Sequence, residues 1–241
     1  MRTRQLMRLV KEQVLPHLPG FRTHRSFVYS SPVGMVLRGF AFTPSYMDPA
    51  AFTVEVFAQP LYVPNDCVCY TFGARLSELK YHKDIWWRLR EFDSSKAEQD
   101  VVQMLRHIRE DFDFADVEQV FANILQLIHE VGLPFIERLS TPEDFVVRGA
   151  KISGVPHDPY VREAIAYSRV LTGDYKKAAQ DMRKLYPELI RDMPNYPWMG
   201  QMAERVNRMM SLLEQSSEAA VQQLYEWHQF TLTQLRLEKE I

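Results

Sequence analysis

The chain has 241 residues, 46% of them hydrophobic and 25% charged, with a formal net charge of −2. That composition supports a folded core and excludes a disordered chain, and the near-balanced charge excludes a general nucleic-acid binder, which needs many cations to displace counterions. Two cysteines are too few for a disulfide framework, no run reaches the ~18 apolar residues of a membrane span, and no amino-terminal stretch has the apolar core of a leader, so a cytoplasmic, non-membrane protein is expected.

Residues 4–18 place Leu6, Val10, Val14 and Leu18 four apart, which predicts an amphipathic helix stopped by Pro19-Gly20. Arg2, Arg4, Arg8 and Lys11 give its outer side a basic excess, read here as a solvated face. Four segments then change period. Residues 26–30, 35–42, 51–59 and 67–72 are rich in aromatic and β-branched residues, and Pro, Gly, Asn and Asp loops separate them. They predict short strands of an antiparallel meander. Phe52, Val54 and Val56 would line one face, and Thr53, Glu55 and Phe57 the other. Gly39 is the position expected for a bulge. Cys67 and Cys69 fall on one face of the last strand as small buried hydrophobes. Residues 84–92 read as a strand or an extended segment.

Helices return after that. Residues 96–110 and 115–131 carry apolar stripes, and Gly132 and Pro134 end the second. Asp113 or Asp116 caps it, and Thr141-Pro142-Glu143-Asp144 starts a short helical turn. Residues 149–156 read as a linker. Asp158-Pro159 opens a helix that Gly173 closes, and Asp174 opens another that runs to about Leu185, before Pro187. Two longer helices, 198–215 and 217–238, complete the chain, with His228 hydrogen-bonded within the stripe of the last.

The fold class expected is α+β: an antiparallel meander sheet packed with helices over residues 1–148, then a helical domain of about four helices over residues 157–241. Residues 164–185 resemble a single tetratricopeptide unit, with Ala166 and Ala178 at the close helix approach and Gly173 and Tyr175 at the turn. One period of about 34 residues forward or back lands on Asn207 or Leu139, neither in a matching context, so the hairpin stands alone and packs with the two final helices.

Chemistry is sparse. The chain has no Gly-x-Ser-x-Gly, no phosphate-cradling glycine pattern and no pair of histidines three or four apart. No catalytic residue, metal ligand or cofactor is expected. One group of residues stands out as a candidate binding surface. Arg22, His24 and Arg25 precede the first strand expected, and Arg75, His82, Trp86, Trp87 and Arg88 follow the last. A meander could bring both to one end or edge of the sheet. Exposed Trp with Arg is the composition of a protein-binding hot spot. Alternatively, the rings close the core and the arginine stems cover them.

The order of motifs in residues 1–145 resembles a bacterial family known only as a domain of unknown function. The motifs are Leu18-Pro19-Gly20-Phe21, Ala74-Arg75-Leu76, Trp86-Trp87-Arg88-Leu89, Leu133-Pro134-Phe135-Ile136 and Thr141 to Asp144. The resemblance implies no activity. By loose analogy it implies an interaction protein of the immunity type. The function expected is non-enzymatic binding of another protein. The alternative is an enzyme or small-ligand binder with a pocket between sheet and helices lined by Arg75, His82 and a tryptophan.

Overall fold

The computed structural model describes residues 1–48, 50–89, 110–112 and 116–240. The described residues form an α+β structure and group into two compact units. One holds residues 1–32, 38–58 and 73–137, and the other holds 33–37, 59–72 and 138–241.

The first unit is built on a sheet. Helix α1 (Thr3–Gln13) buries Leu6, Met7 and Val10, and a tight turn over Leu15–His17 leads into β1 (Phe21–His24). Strands β2 (Phe27–Ser30), β3 (Val36–Pro44) and β4 (Ala51–Pro60) follow. A three-residue β5 (Gly73–Arg75), helix α2 (Leu76–Tyr81), β6 (Ile85–Arg88) and β7 (Glu110–Phe112) come next. The sheet order is β1-β2-β3-β4-β6-β7, with β5 also paired to β4. Pairing is antiparallel for β1–β2, β2–β3, β4–β5 and β4–β6, while β6–β7 is parallel. Strand β4 is central and buried on both faces, since Phe52, Val54, Val56 and Phe57 are all solvent-free and Thr53 nearly so. Phe52 stacks between Trp87 and Phe121 at centroid distances of 6.2 and 6.1 Å.

Helix α3 starts at Val117–Leu127, where Asp116 Oδ1 accepts from the Gln119 amide at 2.8 Å. The expected stop at Gly132 and Pro134 does not occur. The helix widens into a π turn over Ile128–Gly132 and continues through Leu133–Glu137. A wide turn re-phases the hydrogen bonds, so the missing N–H of Pro134 is tolerated there. Gly132 is required by packing, because a Cβ would stand 2.7 Å from Phe40 Cε1.

The second unit is helical. Helix α4 runs from Pro142–Asp144 through Ala150–Ile152, so the first residues of the expected linker 149–156 are helical. Thr141 Oγ1 accepts from the Asp144 amide, and the Asp144 carboxylate accepts from the Thr141 amide at 3.1 Å. Helices α5 (Pro159–Leu171), α6 (Tyr175–Asp192), α7 (Trp198–Gln215) and α8 (Ser217–Leu235) pack in succession, and α8 returns to α5. Asp158 caps α5 and Asp174 caps α6, with Gly173 at φ +81° between them. Helix α6 passes through Pro187 instead of ending before it. An internal proline costs about 3 kcal/mol, and burial of Leu185 and Leu189 on either side offsets it at roughly 1.5–3 kcal/mol each.

Several expectations are corrected. Residues 21–24 form a strand, β1, that was not anticipated. Residues 67–72 are irregular and not a strand. Their backbone partners come from a side chain: Gln59 Oε1 accepts from the Cys69 amide at 3.0 Å, and its Nε2 donates to Cys67 O at 3.2 Å. The aromatic content there serves anchoring, with the Phe72 ring edge-on to Phe145 at 4.8 Å. Cys67 is exposed and Cys69 half-buried, so the two are not buried strand cysteines. Gly39 is not a bulge, because it pairs with Tyr29 in the same register as Phe40 with Val28 and Ala41 with Phe27. It allows close backbone approach instead, as a Cβ would overlap Val28 O at 2.0 Å. The helix expected over 96–110 lies outside the described residues except Glu110, which opens β7.

Candidate binding groove

The residues singled out in the sequence are not brought together. Arg22, His24 and Arg25 belong to β1 and the turn after it, and Arg75, His82, Trp86, Trp87 and Arg88 lie on β5, α2 and β6. Four strand spacings separate β1 from β6, roughly 19 Å.

At the β5–β6 side the groups are engaged with one another. Trp87 is fully buried, and its Nε1 donates to Asn123 Oδ1 at 3.0 Å. Arg88 is buried against the Asp48 carboxylate, whose other oxygen accepts from the Ala50 amide and so closes the β3–β4 loop. Arg75 lies over the Trp86 ring at 5.2 Å, pairs with Asp84 and reaches Glu55 at 4.0 Å. Burial pushes the Glu55 carboxyl up, Arg75 pulls it down, and Glu78 and Asp84 push it up further. His82 is exposed in a left-handed conformation at the end of α2. This side therefore matches the reading in which the rings close the core under arginine stems, with Trp86 half-covered by Arg75.

The β1 side differs. Arg4, Arg8 and Lys11 are spaced by four and three along α1, so they share one helix face. That face stands opposite the β1–β2 turn across a groove of about 710 Å³. Thr23, Arg25 and Ser26 line the far side, and Met7 and Thr3 complete the lining. Arg8 pairs with Glu12 at 3.6 Å, with both side chains largely exposed. Among the described residues Arg4, Lys11 and Arg25 have no carboxylate at ion-pairing distance. Among the described residues no carboxylate, histidine or thiol lines the groove. Arg25 holds φ at +49°, a left-handed backbone that disfavours side chains other than Gly, Asn or Asp. His24 sits next to this turn with its ring against Phe27 at 5.5 Å.

The α1 cations were visible in the sequence as one face. The partner cation Arg25 and the cavity between them were not, because only the fold places a residue 14 positions beyond Lys11 opposite the helix.

Elsewhere, among the described residues, no cluster of three or more His, Cys, Asp or Glu side chains could hold a metal ion, and no helix is long and apolar enough to cross a membrane. Burial pushes the Cys67 thiol up, with the Asp66 charge adding to it. Burial with the neighbouring Cys67 pushes the Cys69 thiol up to about 12. Both are thereby held as neutral thiols, poor nucleophiles. No family model, no curated protein and no solved structure matches this chain.

Proposed function

We propose that the protein is a non-enzymatic binding module that engages an acidic segment of another protein in the groove between α1 and the β1–β2 turn. An immunity-type inhibitor would be one instance. The observation that carries this reading is the convergence of Arg4, Arg8, Lys11 and Arg25 on one 710 Å³ groove with a single carboxylate partner among them. A groove of this size suits a short segment of chain. Its lining has groups that attract anions and a methionine for apolar contact, and among the described residues no group suited to moving protons near neutrality. A protein partner fits better than nucleic acid, since the chain as a whole is at −2 and would repel a polyanion beyond the groove. The candidate site around Arg75 is less suited to a ligand, because Asp84, Glu55 and Trp86 already occupy its guanidinium.

The test is binding of fluorescein-labelled hexaglutamate, followed by anisotropy at low salt, to the native protein and to R4Q and R25G. Loss of one charge contact of about 1 kcal/mol should weaken binding about fivefold per variant. Raising salt to 1 M, where the screening length falls to about 3 Å, should abolish it. Replacing Arg25 by Gly relieves the left-handed backbone, so that variant should be no less stable than the native protein. Unchanged affinity in both variants would refute the assignment.

A further inference from the structure

This inference rests on the groove reading and concerns how its occupant is held. Among the described strands β1 is the terminal one, with β2 as its neighbour on one side. The Ser31 amide donates to Gly20 O at 2.8 Å, which sets the phase of the β1–β2 ladder. In an antiparallel pair, hydrogen-bonded and non-bonded positions alternate. With Arg22 opposite Tyr29 and His24 opposite Phe27, those pairs fall in the same hydrogen-bonded phase as Gly20 and Ser31. Thr23, opposite Val28, therefore turns its N–H and C=O away from β2, toward the outer edge. Nothing in the described backbone takes them up. The Thr23 side chain is at the same time part of the groove lining. The free edge and the cationic wall thus meet at one residue.

We propose that the groove accepts its acidic segment in extended form, as a strand added to the outer edge of β1. Thr23 N–H and C=O hydrogen-bond the segment's backbone. Alternate carboxylates point toward Arg4, Arg8 and Lys11, and Arg25 meets the end of the segment beyond the turn. The period of a strand matches this division, because successive side chains alternate between faces and every second carboxylate faces α1. Strand addition derives affinity from main-chain bonds and selectivity from alternate side chains. Charge complementarity selects the occupant: a neutral or basic strand would leave Arg4, Lys11 and Arg25 without a carboxylate partner.

The experiment compares hexaglutamate in three forms: unmodified, N-methylated at alternate nitrogens, and N-methylated throughout. All carry the same charge. An added strand uses one hydrogen-bonding edge, so the alternately methylated peptide should bind as the unmodified one does, and the fully methylated peptide at least tenfold more weakly. The Thr23 amide should gain hydrogen-exchange protection with the first two and not with the third. T23P, which removes the outward donor while leaving the β1–β2 bonds in place, should weaken the unmodified peptide and leave inorganic tripolyphosphate unaffected. Equal binding of all three peptides, still sensitive to R4Q and R25G, would overturn strand addition and leave the groove reading standing. Absence of binding by every peptide and by tripolyphosphate would overturn both.

Discussion

The ion pair between Glu163 on α5 and Arg205 on α7 gives a sharp test of how the helical unit is held. The Glu163 side chain is fully buried, and Arg205 is 20% exposed. The pair is bidentate, with Nε and Nη2 donating to the two carboxylate oxygens at 2.9 Å each. Burial lowers the Arg205 pKa, but the Glu163 charge and its hydrogen bonds more than reverse this. Replacing Arg205 by Met removes the guanidinium and keeps most of the volume. The carboxylate is then buried without a counterion, a situation that costs about 3–5 kcal/mol.

Protonation sets a ceiling on that cost. Bringing a glutamate of ordinary pKa ~4.3 to the neutral form at pH 7 takes about 2.7 × 1.36, or about 3.7 kcal/mol. At pH 5 the same step takes only about 1 kcal/mol. In R205M a buried carboxylate without a counterion favours its neutral form more than the unfolded chain does. The unfolded chain loses its proton first as pH rises, so the deficit grows between pH 5 and pH 7. With a urea slope of about 3 kcal/mol/M, the midpoint should fall by about 1.2 M at pH 7 and about 0.3 M at pH 5, relative to the native protein. The double variant E163M/R205M removes both charges and should recover to within about 1 kcal/mol of the native protein, or exceed it. An equal drop at the two pH values, or a double variant no better than R205M, would refute the argument that an orphaned buried charge is the cause.

Two further outcomes follow from single contacts. G132A should destabilise by about 1–2 kcal/mol in urea titration, because a Cβ 2.7 Å from Phe40 Cε1 and 3.1 Å from Leu76 Cδ1 forces the buried ring to move at a cost of about 2–3 kcal/mol, against roughly 1 kcal/mol of helix propensity gained; a neutral result would mean that the core yields. His228 is nearly buried, with its Nε2 at 3.1 Å from Gly34 O, and burial lowers its pKa below 6.5, while the bond to Gly34 opposes this. Because the unfolded chain takes up the proton first, stability should fall as pH drops through 6.5, and H228Q, measured by urea titration between pH 7.5 and pH 5, should lack that part of the loss.

Local signals carried far in this chain where the physics is local. Asp158, Asp174 and Thr141 cap helices through bonds to amides two or three residues on, so a short window of sequence contains the whole interaction. The failures have a common origin in distant partners. Residues 67–72 have strand composition, but Phe72 is held by Phe145 and the Cys69 amide by Gln59, contacts that no short window around Cys67 contains. Pro187 reads as a helix stop until Leu185 and Leu189 are seen to be buried on the same helix. The tryptophan pair divides as alternation along a strand requires, one ring into the core and one beneath Arg75. Whether that side of the sheet could bind anything depended on Asp84 and Glu55, and only pairing of β5 with β4 brings Glu55 to Arg75.

The groove raises a question that stability alone does not answer. Helix α1 has no acidic residue in its first turn, although Arg4 lies there, where the helix dipole disfavours a cation by about 0.3–1 kcal/mol. Arg4 and Arg8 repel each other at the i, i+4 spacing by a further 0.2–0.5 kcal/mol or so. Arg25 adds a left-handed backbone of about 1–2 kcal/mol where glycine would be free of strain. Taken together, about 2–3 kcal/mol is set against folding in residues that bury little and pair with one carboxylate between them. A stretch optimised only for folding would place an acid in the first turn of α1 and a glycine at position 25. Departures of that kind, gathered around one cavity and all of one sign, are what a binding site produces when its ligand supplies the missing charge. An acidic strand on β1 would neutralise Arg4, Arg8 and Lys11 together. It follows that ligand binding and thermal stability should be coupled. Hexaglutamate at saturating concentration should raise the melting temperature of the native protein, and the rise should shrink in R25G even though R25G alone melts no lower.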